Sequence, residues 1–204
     1  MATKSNFRNL ALLSAIFLLA QAPAWSQEQQ SFTTSGGSII YSGTGTALKI
    51  LNLMSANRTL ILTPQEGVSV AQAIVRRGSE EQIFTGKTIT YHPDTEDFSI
   101  EGDAKIEEGK DCIFGPKSIV FESKNDIMTV EGHNRQKPAT ILYTVGPQQT
   151  FYCETSKCLF YFTKKENKRV LRDFASPGNY YSHLYEGPYK STQELLRKLS
   201  PPKK

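Results

Sequence analysis

Hydrophobic and polar residues alternate along most of the chain, in short segments of residues 31–162 that are separated by turn residues. Such alternation is typical of β-strands, because successive side chains of a strand point to opposite faces of its sheet. The pattern predicts strands at 38–41, 47–53 and 59–62. Residues 68–75 are predicted as the next strand, although their alanines leave a helix open.

The pattern is clearest in an internal repeat. Residues 87–91 recur as 117–121, and residues 98–102 recur as 128–132, so both pairs share one offset, 117 − 87 = 30 positions. A duplicated unit explains a shared offset better than chance does. Each unit is predicted to consist of a strand, a turn rich in Asp, Asn, Ser or Pro, a second strand and a closing glycine.

Alternation within the repeat assigns the large apolar side chains to one face and Thr, Ser and Glu to the other. A sheet with one apolar and one polar face is typical of antiparallel strands folded over a single core. The sequence therefore predicts an all-β domain of antiparallel strands. Its inward-facing apolar set includes Ile89, Tyr91, Phe98, Ile100, Ile106, Ile119, Phe121, Met128 and Val130.

The last third of the chain has a different pattern. Residues 150–163 are rich in Phe and Tyr and predict a further hairpin, whereas the basic run 164–169 predicts a solvated loop. An irregular aromatic stretch follows at 174–189. Ser191 and Glu194 form a capping box, which predicts a short C-terminal helix.

The first 26 residues have the features of a cleaved signal peptide. Lys4 and Arg8 provide a basic start, an apolar stretch of eleven residues follows at 10–20, and small residues precede position 26. Because that stretch is shorter than the roughly 20 residues that cross a bilayer, a cleaved signal is favoured over an uncleaved membrane anchor. We therefore expect an exported protein.

These patterns divide the chain into a signal peptide (1–26), a β-domain (27–163) and a basic, aromatic C-terminal segment (164–204). That segment either packs on or extends the β-domain, or it presents a docking surface for a partner. Residues 151–204 contain eleven Lys and Arg against five Asp and Glu, a net charge of +6. The basic end either favours an anionic partner or is an ordinary solvated tail, and no nucleic-acid partner is predicted.

Cysteine usage suggests one disulfide. Cys153 and Cys158 flank a polar stretch that is predicted to be a hairpin turn, so in an oxidising compartment they are the natural pair. Cys112 is then left as a buried thiol.

Neither catalysis nor a metal or cofactor site is predicted. The histidines His92, His133 and His183 are scattered and lie in or beside turns, without a Gly-x-Ser-x-Gly elbow to supply a nucleophile. The same scatter makes a zinc site with the cysteines a poor fit. Gly43-Thr44-Gly45 lacks the strand and helix that surround a nucleotide-binding loop.

The elements around the repeat occur in a recognisable order: residues 89–91, 98–106, 113–115, 117–121 and the Lys-Pro-Ala-Thr sequence at 137–140. In this order they resemble the OstA-like domain, which is shared by the periplasmic lipopolysaccharide carriers of the LptA family. The resemblance covers about a third of the mature chain.

The resemblance implies a periplasmic protein with the fold of a twisted antiparallel β-jellyroll, whose interior receives the acyl chains of lipopolysaccharide. The nine inward-facing residues above would form the lipid-binding surface. Protomers would associate edge to edge, and components of the transport machinery in the inner and outer membranes would be further partners. An exposed sheet edge could instead be covered by the C-terminal segment, which would give a monomer.

A second function remains open at this point. The chain could be a secreted structural or adhesive β-sandwich that binds protein or glycan through its aromatic C-terminal third. The carrier hypothesis predicts an apolar groove within 86–143 that can open. The adhesive hypothesis predicts a filled interior and a contact surface within 150–190.

Overall fold

The computed structural model describes residues 29–34, 37–52, 57–146, 149–165, 168–175 and 180–186. These residues form seventeen β-strands and no helix. The predicted signal peptide and C-terminal helix lie outside the described residues. The strands are β1 (Ser31–Thr33), β2 (Ile39–Ser42), β3 (Thr46–Leu51), β4 (Thr59–Pro64), β5 (Ala71–Arg77), β6 (Glu80–Gly86), β7 (Thr88–His92), β8 (Asp97–Glu101), β9 (Lys105–Glu108), β10 (Asp111–Phe114), β11 (Ser118–Glu122), β12 (Ile127–Glu131), β13 (Ala139–Gly146), β14 (Gln149–Thr155), β15 (Lys157–Lys165), β16 (Lys168–Ala175) and β17 (Tyr180–Glu186).

The strands build two antiparallel sheets that pack face to face. Sheet A has nine strands in the order β1-β2-β5-β6-β9-β10-β13-β14-β17, and sheet B has eight in the order β16-β15-β12-β11-β8-β7-β4-β3. The inner faces of both sheets contribute to one hydrophobic core. The prediction of an all-β, antiparallel domain is confirmed.

The chain changes sheet after every second strand. The hairpins β5–β6, β9–β10 and β13–β14 belong to sheet A, and β3–β4, β7–β8, β11–β12 and β15–β16 belong to sheet B. In the described part of the chain, the hairpin turns therefore lie along one long edge of the sandwich. The segments that cross from sheet to sheet lie along the opposite edge. We call these the turn edge and the crossing edge.

Backbone hydrogen bonds connect successive segments of the crossing edge. Lys87 N donates to Gly102 O (2.9 Å), Gly102 N donates to Lys117 O (2.9 Å), and Gly132 N donates to Ser156 O (3.0 Å). These bonds satisfy backbone groups that the strand ladders leave unpaired. They also connect each crossing segment to the next along this edge.

Gly132 lies closely packed against backbone atoms on the crossing edge. A Cβ atom at this position would lie 2.9 Å from both Ala139 N and Thr155 O, which are backbone atoms that cannot easily move away. This is why the repeat unit ends in glycine here.

The inner face of sheet B includes two long rows of cross-strand neighbours. The crossing row, next to the crossing edge, consists of Leu62, Ile89, Ile100, Ile119, Val130 and Cys158, and each of these residues is 0% exposed. The turn row, next to the turn edge, consists of Leu60, Tyr91, Phe98, Phe121, Met128 and Phe160.

The predicted repeat corresponds to the hairpins β7–β8 and β11–β12, which are neighbours in sheet B through β8 and β11. Ile89 and Ile119 occupy equivalent places in the crossing row, and so do Ile100 and Val130. Even the turns match, because Glu96 (φ 63°) and Asp126 (φ 50°) are both left-handed and lie 126 − 96 = 30 positions apart. The repeat is therefore structural as well as sequential.

Three local predictions in the C-terminal third were wrong. Residues 150–163 are not a hairpin, because β14 belongs to sheet A and β15 to sheet B, with the crossing at Ser156. Most of the run 164–169 is strand, since β15 and β16 pair up to Lys165 and Lys168. The stretch 174–189 contains the end of β16 and all of β17.

Two strands in the N-terminal half differ from the prediction. Of the ambiguous segment 68–75, residues 71–75 are strand and belong to β5, which begins and ends later than predicted. Strand β6 was missed, because Glu80, Glu81 and Gln82 interrupt the alternation with consecutive polar residues. Sheet pairing on both sides of β6 outweighs its weak local pattern.

We expect the crossing row to contribute strongly to stability. Replacing Ile119, which is completely buried, with Ala should lower the free energy of unfolding by about 2–5 kcal/mol, because it opens a void in a closed part of the core. The neighbouring Val120→Thr, on the outer face and 36% exposed, should change it by no more than about 0.5 kcal/mol. Urea unfolding measures both, and equal losses would contradict the assigned faces.

Candidate functional site

A cavity of about 270 Å³ lies between the two sheets on the side of the turn edge. It is lined from sheet A by Phe84, Ile106, Ile113 and Ile141. It is lined from sheet B by Phe98, Phe121, Met128, Phe160, Phe162 and Leu171. The interior of the sandwich is thus packed along the crossing row and hollow beside part of the turn row.

The nine residues predicted to form a lipid-binding surface divide into two groups. Phe98, Ile106, Phe121 and Met128 line the cavity. The other five do not line it and belong to the closed core: Ile89, Tyr91, Ile100, Ile119 and Val130. Alternation identified the correct face, but it does not reveal which row of that face borders the cavity.

Sequence reasoning missed part of the lining. Phe84 lies in the unpredicted strand β6, and Leu171 lies in β16, which was assigned to the C-terminal segment. For Phe160 and Phe162 the signal was present, because they alternate with polar or outward residues within β15.

Aromatic rings form a continuous series along the cavity wall. The ring centroids of Phe84 and Phe98, from opposite sheets, are 4.6 Å apart, and those of Phe98 and Phe121 are 5.4 Å apart. Phe121 meets Phe162 edge to face at 6.1 Å. The Phe84–Phe98 contact spans the space between the sheets beside the cavity.

Polar residues of sheet A line one side of the mouth of the cavity at the turn edge, and we call them the rim: Arg77, Glu80, Gln82, Glu108, Asp111 and Tyr143. All of them are at least partly exposed, whereas the apolar lining from sheet A is buried. Gln82 Nε2 donates to Glu108 Oε2 (2.7 Å), and Asp111 Oδ1 accepts from Thr144 N (2.7 Å). Burial, with a smaller contribution from Asp111, raises the pKa of Tyr143.

Side chains bridge the two sheets at both ends of the turn edge. At the N-terminal end, the Arg58 guanidinium lies 5.1 Å over the ring of Phe32 from β1. Arg58 also forms a salt bridge with Asp94, and its side-chain hydrogen bond lowers the pKa of Asp94. At the C-terminal end, the rings of Phe151 and Phe174 are 4.8 Å apart. The rim lies between these two bridges.

The structure contains Cys112, Cys153 and Cys158 as free, buried thiols, not the predicted Cys153–Cys158 disulfide. The premise of that prediction was a hairpin, whereas Cys153 lies on sheet A and Cys158 on sheet B, both facing the core. Burial raises the pKa of Cys112 and Cys153 to about 11 and that of Cys158 to about 12.

The described residues include no group of three His, Cys, Asp or Glu side chains placed to hold a metal ion. Nor do they include a helix of the length and apolarity needed to cross a membrane. Comparisons of the chain with protein-family models, with curated proteins and with solved structures find no match.

The buried thiols should be unreactive in the folded protein. With pKa values of about 11 to 12, only about 0.1% or less of each thiol is ionised at pH 8, and the thiolate is the reactive form. We expect almost no reaction with Ellman's reagent in buffer and three thiols per chain in urea without reductant. Finding one thiol per chain in urea would contradict the free Cys153 and Cys158.

Proposed function

We propose that this protein is a periplasmic carrier that binds lipopolysaccharide, or a related glycolipid, and helps to move it from the inner to the outer membrane. Its acyl chains would enter the cavity at the turn edge. The observation that carries this proposal is the apolar cavity between the sheets, with a polar rim where it meets solvent. In this proposal the N-terminal 26 residues are the cleaved export signal.

The physical basis of binding would be transfer of apolar surface out of water. Each buried CH₂ group contributes roughly 0.8 kcal/mol, so an acyl chain binds without any covalent chemistry. The aromatic wall formed by Phe84, Phe98, Phe121 and Phe162 offers such a surface.

The size of the cavity sets a condition on this function. About 270 Å³ is close to the lower end of ligand pockets, which span roughly 300–1,000 Å³, and holds part of one acyl chain. A lipid with several chains therefore requires the sheets to move apart. Separation at the turn edge would disrupt side-chain contacts such as Arg58–Phe32 and Phe151–Phe174 but no crossing segment.

We further propose that the sandwich is a jellyroll of the OstA-like type. The thirty-residue repeat and the regular change of sheet after each hairpin support this assignment. Among the described strands, sheet A ends at β1 and β17, and sheet B ends at β3 and β16. Such edge strands can pair with a second copy of the chain or with membrane components of the transport machinery.

The adhesive alternative predicts a filled interior. The cavity favours the carrier over that alternative, because it leaves the interior between the sheets incompletely filled. Its lining residues come from both sheets and run from Arg77 to Leu171. An unfilled space beside apolar side chains lowers the stability of a fold, and a purely structural module would gain nothing from it.

Site-specific photo-crosslinking in cells tests the proposal. A photoreactive phenylalanine analogue at Phe121, which is 4% exposed and lines the cavity, should give lipopolysaccharide adducts. The same analogue at Val120, on the outer face, should give none. Phe162, which is only partly buried, is a second cavity position in case the Phe121 variant does not fold. Absence of adducts at both cavity positions in folded protein would overturn the proposal.

A further inference from the structure

The rim carries an excess of negative charge. Among the described residues that line the cavity, Arg77 is the one cation, whereas Glu80, Glu108 and Asp111 are acidic, which gives 1 − 3 = −2. The Arg77 charge is partly balanced by another acid, since its Nε lies 3.9 Å from Glu96 Oε1. A ligand that enters the cavity therefore meets carboxylates at its mouth.

The acidic groups are concentrated on one side of the mouth. Glu80, Glu108 and Asp111 belong to strands β6, β9 and β10, which are consecutive in sheet A, and Asp111 and Glu108 are direct cross-strand partners. Across the mouth, sheet B contributes Phe162 and Leu171 to the lining. An alkyl chain can lie along the sheet B side while its polar end faces the carboxylates of sheet A.

Two of these carboxylates are held in place. The hydrogen bond from Gln82 orients Glu108, and the backbone N–H of Thr144 orients Asp111. A carboxylate accepts several hydrogen bonds, so each retains acceptor capacity for a ligand. An anionic group at the same place would be repelled and would also lose water.

We propose that the cavity selects acyl chains whose polar end at the rim is uncharged or cationic and donates hydrogen bonds, such as a sugar hydroxyl, an amide N–H or an amine. It discriminates against chains that end in a free carboxylate or sulfate. This inference rests on the proposed function, in which an alkyl chain occupies the cavity. For a glycolipid, the sugar hydroxyls or amide linkage would lie at the rim, and any phosphate would lie beyond it.

Three twelve-carbon amphiphiles with different head groups test this selectivity: dodecyl glucoside, dodecylamine and laurate, each below its micelle-forming concentration. Met128 lines the cavity, so its ¹³C-labelled methyl group reports occupancy by NMR, with Met128→Leu used for assignment. We expect saturable shifts from dodecyl glucoside and dodecylamine and roughly tenfold weaker binding of laurate.

A matched pair of charge-neutralising variants then tests the role of the rim. Glu108→Gln should strengthen laurate binding by about threefold, because one repulsive charge is removed, and should weaken dodecylamine binding, because the same charge attracts the amine. Glu107→Gln is the control, because it removes the same charge from the outer face of the same strand, where Glu107 pairs with Lys105 at 2.8 Å. It should change the binding of neither amphiphile.

The outcomes separate the two levels of the proposal. Equal binding of laurate and dodecyl glucoside to the unaltered protein, or equal effects of Glu108→Gln and Glu107→Gln, would overturn the selectivity while leaving the cavity as a lipid site. If none of the three amphiphiles shifts the Met128 methyl resonance, chain binding in the cavity is itself wrong, and the proposed function is overturned with it.

Discussion

The crossing of the chain from one sheet to the other along a single edge is the constraint on which this architecture depends. At that edge the chain itself joins the sheets, and backbone hydrogen bonds such as that from Gly132 N to Ser156 O connect neighbouring crossing segments. At the opposite edge, the described contacts between the sheets are made by side chains, among them Arg58 with Phe32 and Phe151 with Phe174. The sheets are joined covalently at the crossing edge and only by the described side-chain contacts at the turn edge. The turn edge is therefore the easier one to separate.

This inequality explains why one apolar face contains both a closed core and a cavity wall. In the crossing row the sheets are close and every side chain is fully buried. In the turn row Phe98 and Met128 each retain 9% exposure, because the space opposite them is incompletely filled. The proposed carrier function depends on this difference in packing between the two rows. Close packing near the crossing edge supplies the stability that the incompletely filled space near the turn edge lacks.

Much of the strand pattern could be predicted from the sequence, whereas the connections between strands could not. Alternation is strong where large apolar residues face inward, as in the repeat, and weak where polar residues adjoin, as at the start of β6. A turn and a crossing have similar local composition, so β14 and β15 were predicted to pair although they lie in different sheets. The same limit applies to the cavity. Its wall depends on the distance of each residue from the crossing edge, which is a property of topology.

The thirty-residue repeat has a consequence for how such a fold can change in length. One repeat adds a hairpin to sheet B and, through the strands that follow it, a hairpin to sheet A. Because neighbouring strands are about 4.8 Å apart, each added unit would extend the sandwich by about 10 Å while its cross-section stays the same. Duplication of a hairpin pair is thus a modular way to lengthen the space between the sheets, independent of the residues that determine its width.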